Sequence, residues 1–95
     1  MQAKKQIIIS NSQGLHARPA SIFVQKANTF SSKIVVEKDS QRVDGKSIMG
    51  ILMLEAGKGS RIILEAYGDD AEEALQALEF ILMHETEEVN RGEKG

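Results

Sequence analysis

The chain has 95 residues, 41% of them hydrophobic and 27% charged, the make-up of one ordinary globular domain with a single modest core. A formal net charge of −2 and an aromatic content of 4% argue against nucleic acid as the main partner. With no cysteine, disulfides and thiolate metal sites are excluded.

In chain order, Ile7-Ile8-Ile9 lies in a first strand over about residues 4–10, and Ser10-Asn11-Ser12-Gln13-Gly14 reads as the turn that ends it. Ala17, Ala20, Phe23, Val24 and Ala27 then recur at helical spacing, so a helix is expected over about 17–29. Phe30-Ser31-Ser32 breaks it. Residues 33–38 alternate as a strand, Asp39-Ser40 turns, and residues 41–44 return as the second arm of a hairpin. Ser47 caps a short helix to about Leu54, closed by Gly57 and Gly59. Residues 61–67 form a strand rich in Ile and Leu. The clearest helix follows, with Asp70 and Glu73 as an acidic analogue of a capping box. Its apolar stripe is Ala71, Ala74, Leu75, Leu78, Ile81 and Leu82.

This order, strand-helix-strand-strand-helix-strand-helix, predicts an α+β domain: an antiparallel or mixed sheet with helices on one face and a solvated opposite face. Residues 1–88 form the domain, and the polar stretch 89–95 is expected to be a flexible tail. The apolar run at 7–9 is far short of a signal segment. The longest run, 48–54 with Gly50 inside it, is too short to span a bilayer. A cytoplasmic protein with no membrane partner is the expectation.

Chemistry concentrates where the first helix begins. His16 stands at its N-cap position, the amides of Ala17 and Arg18 follow, and Pro19 lies in the first turn, where a missing donor costs little. Free amides and the positive end of a helix favour an anion, and Arg18 adds a planar, permanently charged fork for phosphate. An imidazole attacking phosphorus must be neutral, its ring nitrogen offering a lone pair. Taken without context, a histidine at a helix start is more often plain surface.

Ser47 is first of all a helix N-cap, worth about 1 kcal/mol against alanine. On the short helix after it, Ile51 and Leu54 are assigned inward. Three other signals are discounted. Gly45-Lys46-Ser47 mimics the end of a nucleotide-binding loop, but the glycine needed five residues earlier is Ser40. His84 and Glu88 read as a solvated helix pair, and no metal site is expected. Glu72, Glu73 and Glu79 read as a solvated face.

Gly14-Leu15-His16-Ala17-Arg18-Pro19-Ala20, followed by Lys46-Ser47-Ile48-Met49-Gly50, resembles the HPr family of phosphocarriers of the phosphoenolpyruvate-dependent phosphotransferase system. The resemblance runs over about residues 5–82. It implies an open-faced two-layer sandwich, a four-stranded antiparallel sheet of order 1-4-2-3 covered on one face by three helices. It further implies a phosphoryl carrier rather than a free-standing catalyst, with no cofactor. His16 would accept phosphate on Nδ1 from enzyme I and pass it to an enzyme IIA domain, with Arg18 and the Ala17 amide steadying the group. Ile48, Met49 and Leu52 would dock the partners. Ser47 would be the target of an HPr kinase/phosphorylase, and the chain would be a monomer. Met53-Leu54-Glu55-Ala56 looks more like the nitrogen-type branch of the family than the sugar-type. The alternative is a purely regulatory protein switched at Ser47 and read by a transcription regulator or kinase. His16 argues against it, since the HPr-like regulators lack that histidine.

Overall fold

The computed structural model describes residues 1–85. Four strands, β1 (Gln2–Ile8), β2 (Lys33–Lys38), β3 (Gln41–Asp44) and β4 (Arg61–Tyr67), alternate with helices α1 (Ala17–Ala27), α2 (Ile48–Met53) and α3 (Ala71–Met83). The strands lie in the order β1-β4-β2-β3, every pairing antiparallel. The expected sandwich is therefore observed.

Period-two alternation decides which side of the sheet is covered. Ile62, Leu64 and Ala66 of β4 are fully buried and align with Ile7 of β1 and with Ile34 and Val36 of β2. Onto this surface α1 lays Ala20, Phe23 and Ala27, α3 lays Ala74, Leu78 and Leu82, and α2 contributes Ile51. Phe23 is the largest side chain wholly inside. Its loss would cost about 3–5 kcal/mol.

Two expectations shift. The first strand runs over Gln2–Ile8 rather than 4–10, because its whole length pairs with β4, from Gln2 opposite Tyr67 to Ile8 opposite Arg61. Beyond it, Ile9 bonds to the turn before β4 (amide to Ser60 carbonyl, 3.0 Å), and Ser10 has turned toward α3. The acidic capping box of α3 does not form. The Asp70 carboxylate caps nothing in its own helix and instead accepts from the Ser31 amide (2.9 Å), the Ser32 amide (3.0 Å) and the Ser32 hydroxyl (2.5 Å). Asp70 thus fastens the α1–β2 turn, and the Ser32 hydroxyl, then the Ser31 amide, hold its carboxyl below the usual aspartate range.

Candidate functional site

The segment between β1 and α1 is built on the far end of the chain. Every helix leaves its last carbonyls without intrahelical donors. Here the loop supplies them: the Ser10 and Asn11 amides donate to Leu82 (3.1 and 3.2 Å), and the Ser10 hydroxyl donates to Met83 (2.9 Å). The Asn11 side-chain amide reaches Ile81 (3.0 Å), and Ser12 gives both its amide and its hydroxyl to the Glu85 carboxylate.

Gly14 then turns with φ +66°, a conformation that favours glycine. A Cβ there would stand 2.5 Å from Gly57 Cα, so the close approach requires glycine as well. The next amide, Leu15, donates to the Ala56 carbonyl at 2.7 Å, and the Leu15 side chain is completely buried. The chain is thereby fastened immediately before His16.

His16 occupies the N-cap position of α1 with extended backbone and no side-chain capping bond. Its ring is therefore uncommitted to the helix, and its Nε2 edge lies over Gly57. Ala17 has φ +49°, left-handed for a residue with a Cβ, a strain on the order of 1–3 kcal/mol. His16, Ala17 and Arg18 are all exposed, whereas Pro19 and Ala20 are buried and seat the helix. Neither the Ala17 nor the Arg18 amide donates to another protein group among the described residues, and the Arg18 guanidinium pairs with no carboxylate there. One imidazole, two open amides and one open cation stand together. Such a set can receive a phosphoryl anion.

Ser47 caps α2 as expected, its hydroxyl accepting from the Gly50 amide at 3.1 Å. Ile51 and Leu54 point inward, while Ile48, Met49 and Leu52 are exposed, Met49 by 67%. Met53, exposed by 61%, enlarges this apolar surface beyond the three residues expected. Helix α2 packs beside α1, and its exit carries Ala56 and Gly57 to the His16 segment, so patch and imidazole share one side of the molecule. Lys46 is not an open cation: its ammonium donates to the Phe30 carbonyl at 2.8 Å. His84 stacks on Phe80, and its Nδ1 lies 2.9 Å from the Phe80 carbonyl. Glu88 and the 88/89 boundary lie outside the described residues.

Sequence reasoning missed two features. Asn11 read as an ordinary turn residue, yet it is 1% exposed. On the uncovered sheet face, Glu65 is also buried, and Arg42 grips it with two bonds of 3.0 and 3.1 Å. The Tyr67 hydroxyl makes a short bond to the same carboxylate, and Lys4 lies 3.8 Å away. Period-two spacing of Glu65 and Tyr67 was the available signal, but their partner Arg42 comes from another strand. The hydrogen bonds from Arg42, then Tyr67, hold the Glu65 carboxyl down to about 2.

Comparison with known proteins adds identity to geometry. Residues 3–83 match the PTS-HPr family, described as the PTS HPr component phosphorylation site. The HPr-like protein Crh of Halalkalibacterium halodurans is 49% identical over 75 residues, which cover 79% of this chain and 89% of that protein. Phosphocarrier protein HPr of Neisseria meningitidis is 51% identical over 75 residues, covering 79% and 84%. The crystal structure of a phosphocarrier protein HPr from Bacillus anthracis matches with a TM-score of 0.85 at 48% identity, covering 86% of this chain and 98% of that one.

Proposed function

The chain belongs to the HPr family of phosphotransferase-system phosphocarriers, and from that premise we propose that His16 is the atom-bearing post of its relay. Phosphorylated enzyme I presents the phosphoryl group. The neutral imidazole attacks phosphorus through Nδ1, an N–P bond forms, and the bond to the donor breaks. The same steps in reverse order pass the group to an enzyme IIA domain. The Arg18 guanidinium and the Ala17 and Arg18 amides steady the charge, and Ile48, Met49 and Leu52 dock both partners in turn. The chain is an intermediate in transfer and not a catalyst with its own turnover. All parts of the site come from a single copy.

The observation that carries this reading is the exposed His16 ring, with no capping bond, beside donors that no protein group uses among the described residues. Exposure suits a relay, since a group held in a deep pocket would not be handed on. Incubation with enzyme I and phosphoenolpyruvate tests it: the expected product is acid-labile phosphate, absent in His16→Ala.

Ser47 is proposed as a regulatory site for an HPr kinase/phosphorylase. Phosphate there adds roughly two negative charges at a helix start, which the fold tolerates. The same charge, set beside Ile48, Met49 and Leu52, repels an acidic partner and blocks transfer. The similarity to an HPr-like protein Crh favours a second reading, a purely regulatory protein read by a transcription regulator or kinase. Only ATP-dependent, acid-stable phosphate, lost in Ser47→Ala, would support that reading over the first.

A further inference from the structure

Asn11 stands five residues before His16, buried to 1% exposure, and both polar atoms of its side chain are bonded. Its Nδ2 donates to the Ile81 carbonyl at 3.0 Å, and its Oδ1 accepts the Gly14 amide at 2.6 Å. The orientation of the side-chain amide follows from chemistry, since a carbonyl can only accept and a main-chain amide can only donate. One short planar group therefore joins the end of α3 to the glycine turn that delivers His16. Aspartate supplies only the acceptor half of this link, and alanine neither half.

We propose that Asn11 is a positioning residue for phosphoryl transfer: through Gly14 it fixes the direction in which the imidazole is presented. The inference rests on the reading of His16 as phosphoryl acceptor. Two main-chain amides fasten the approach to His16, Gly14 to Asn11 and Leu15 to Ala56. Immediately after it, Ala17 sits at φ +49°. A strained residue holds its conformation only while its surroundings dictate it. Cutting the side-chain bond leaves the Gly14 amide only a long 3.4 Å contact to the Asn11 main-chain carbonyl, so the backbone around His16 relaxes and the ring drifts from the line of attack. Small misplacements of reacting groups cost large factors in rate.

The rival explanation is that Asn11 merely caps α3, and the two halves of its amide separate these roles. Single-turnover transfer from phosphorylated enzyme I is measured beside the thermal midpoint for Asn11→Ala, Asn11→Asp and Ser10→Ala. Ser10→Ala removes a different bond to the end of α3 and should leave the rate unchanged. Asn11→Ala should slow transfer at least tenfold. Asn11→Asp keeps the acceptor for Gly14 and should restore most of that rate, although its midpoint falls because the donor to Ile81 is gone. A rate in Asn11→Ala within threefold of the parent overturns the proposal, as does an Asn11→Asp rate that falls as far as the alanine variant's. Should Asn11→Ala not fold, hydrogen exchange of the Gly14 amide in Asn11→Asp decides. A protected amide with the rate kept supports the link, and a protected amide with the rate lost overturns it. If the parent chain takes no phosphate from enzyme I at all, the carrier reading itself fails and this inference with it.

Discussion

On the uncovered sheet face, Arg42 closes both arms of its fork onto Glu65, and Tyr67 adds a further donor to the same carboxylate. At the start of α1, Arg18 closes onto no carboxylate among the described residues, and two amides beside it stay open. The residue types are alike: an arginine, a ring, a set of hydrogen-bonding groups. Saturation separates them. A polar cluster whose valences are spent internally can only stabilise the fold, whereas one left unsatisfied at the surface has its binding capacity in reserve for a partner. The first region should therefore register in stability alone, and the second in phosphoryl transfer.

The largest expected effect comes from Gly14→Ala, which places a methyl group on the Gly57 backbone at a left-handed φ. Overpacking and the left-handed penalty together should cost about 3 kcal/mol and abolish transfer, read by urea unfolding and by the enzyme I assay. Glu65→Gln should cost about 2 kcal/mol through weakened charge-assisted bonds while leaving the transfer rate unaltered. A drop in rate there would break the comparison. The same carboxylate sets an acid limit. Its folded value of about 2 lies below the ordinary 4.5, so the folded chain binds fewer protons in that window. Stability from Glu65 is complete above about 4.5 and disappears as pH falls toward 2, with Asp70 acting in the same direction. Urea midpoints across that window should fall less steeply in Glu65→Gln than in the parent.

Ser47→Ala should cost about 1 kcal/mol from the lost cap and leave His16 phosphorylation intact. The smallest stability change belongs to Arg18→Gln, within about 0.5 kcal/mol because the side chain is exposed and pairs with no carboxylate among the described residues. Its transfer rate should nonetheless fall about tenfold or more, since a charge-assisted contact to phosphate is lost. Equal rates for Arg18→Gln and the parent would remove Arg18 from the site.

Much of this was legible in the residues themselves. The helical stripe of α3 and the capping by Ser47 follow from spacing and side-chain chemistry, and the structure reproduces both. The inward placement of Ile51 follows from burial of an apolar stripe, whereas the outward placement of Met49 comes only from the family resemblance, and the structure has both. What escaped were links between distant segments. Asp70 looked like a cap because Glu73 stands at the right spacing, but three donors in the α1–β2 turn bind its carboxylate instead. Asn11 looked like a turn residue because nothing local reveals a partner 70 positions away. The positive φ of Ala17 was equally hidden, since alanine gives no hint of left-handed backbone.

The clasp between residues 10–12 and the end of α3 also has a bearing on how the protein comes into being. The groups that clasp the end of α3 are among the first to leave the ribosome, while the carbonyls of Ile81, Leu82 and Met83 that receive them are among the later ones. A nascent chain still missing its last helix has these donors but none of the carbonyls that receive them. The order of synthesis thus sets the order of assembly: the loop before α1 waits for the chain's last described helix before its donors are satisfied.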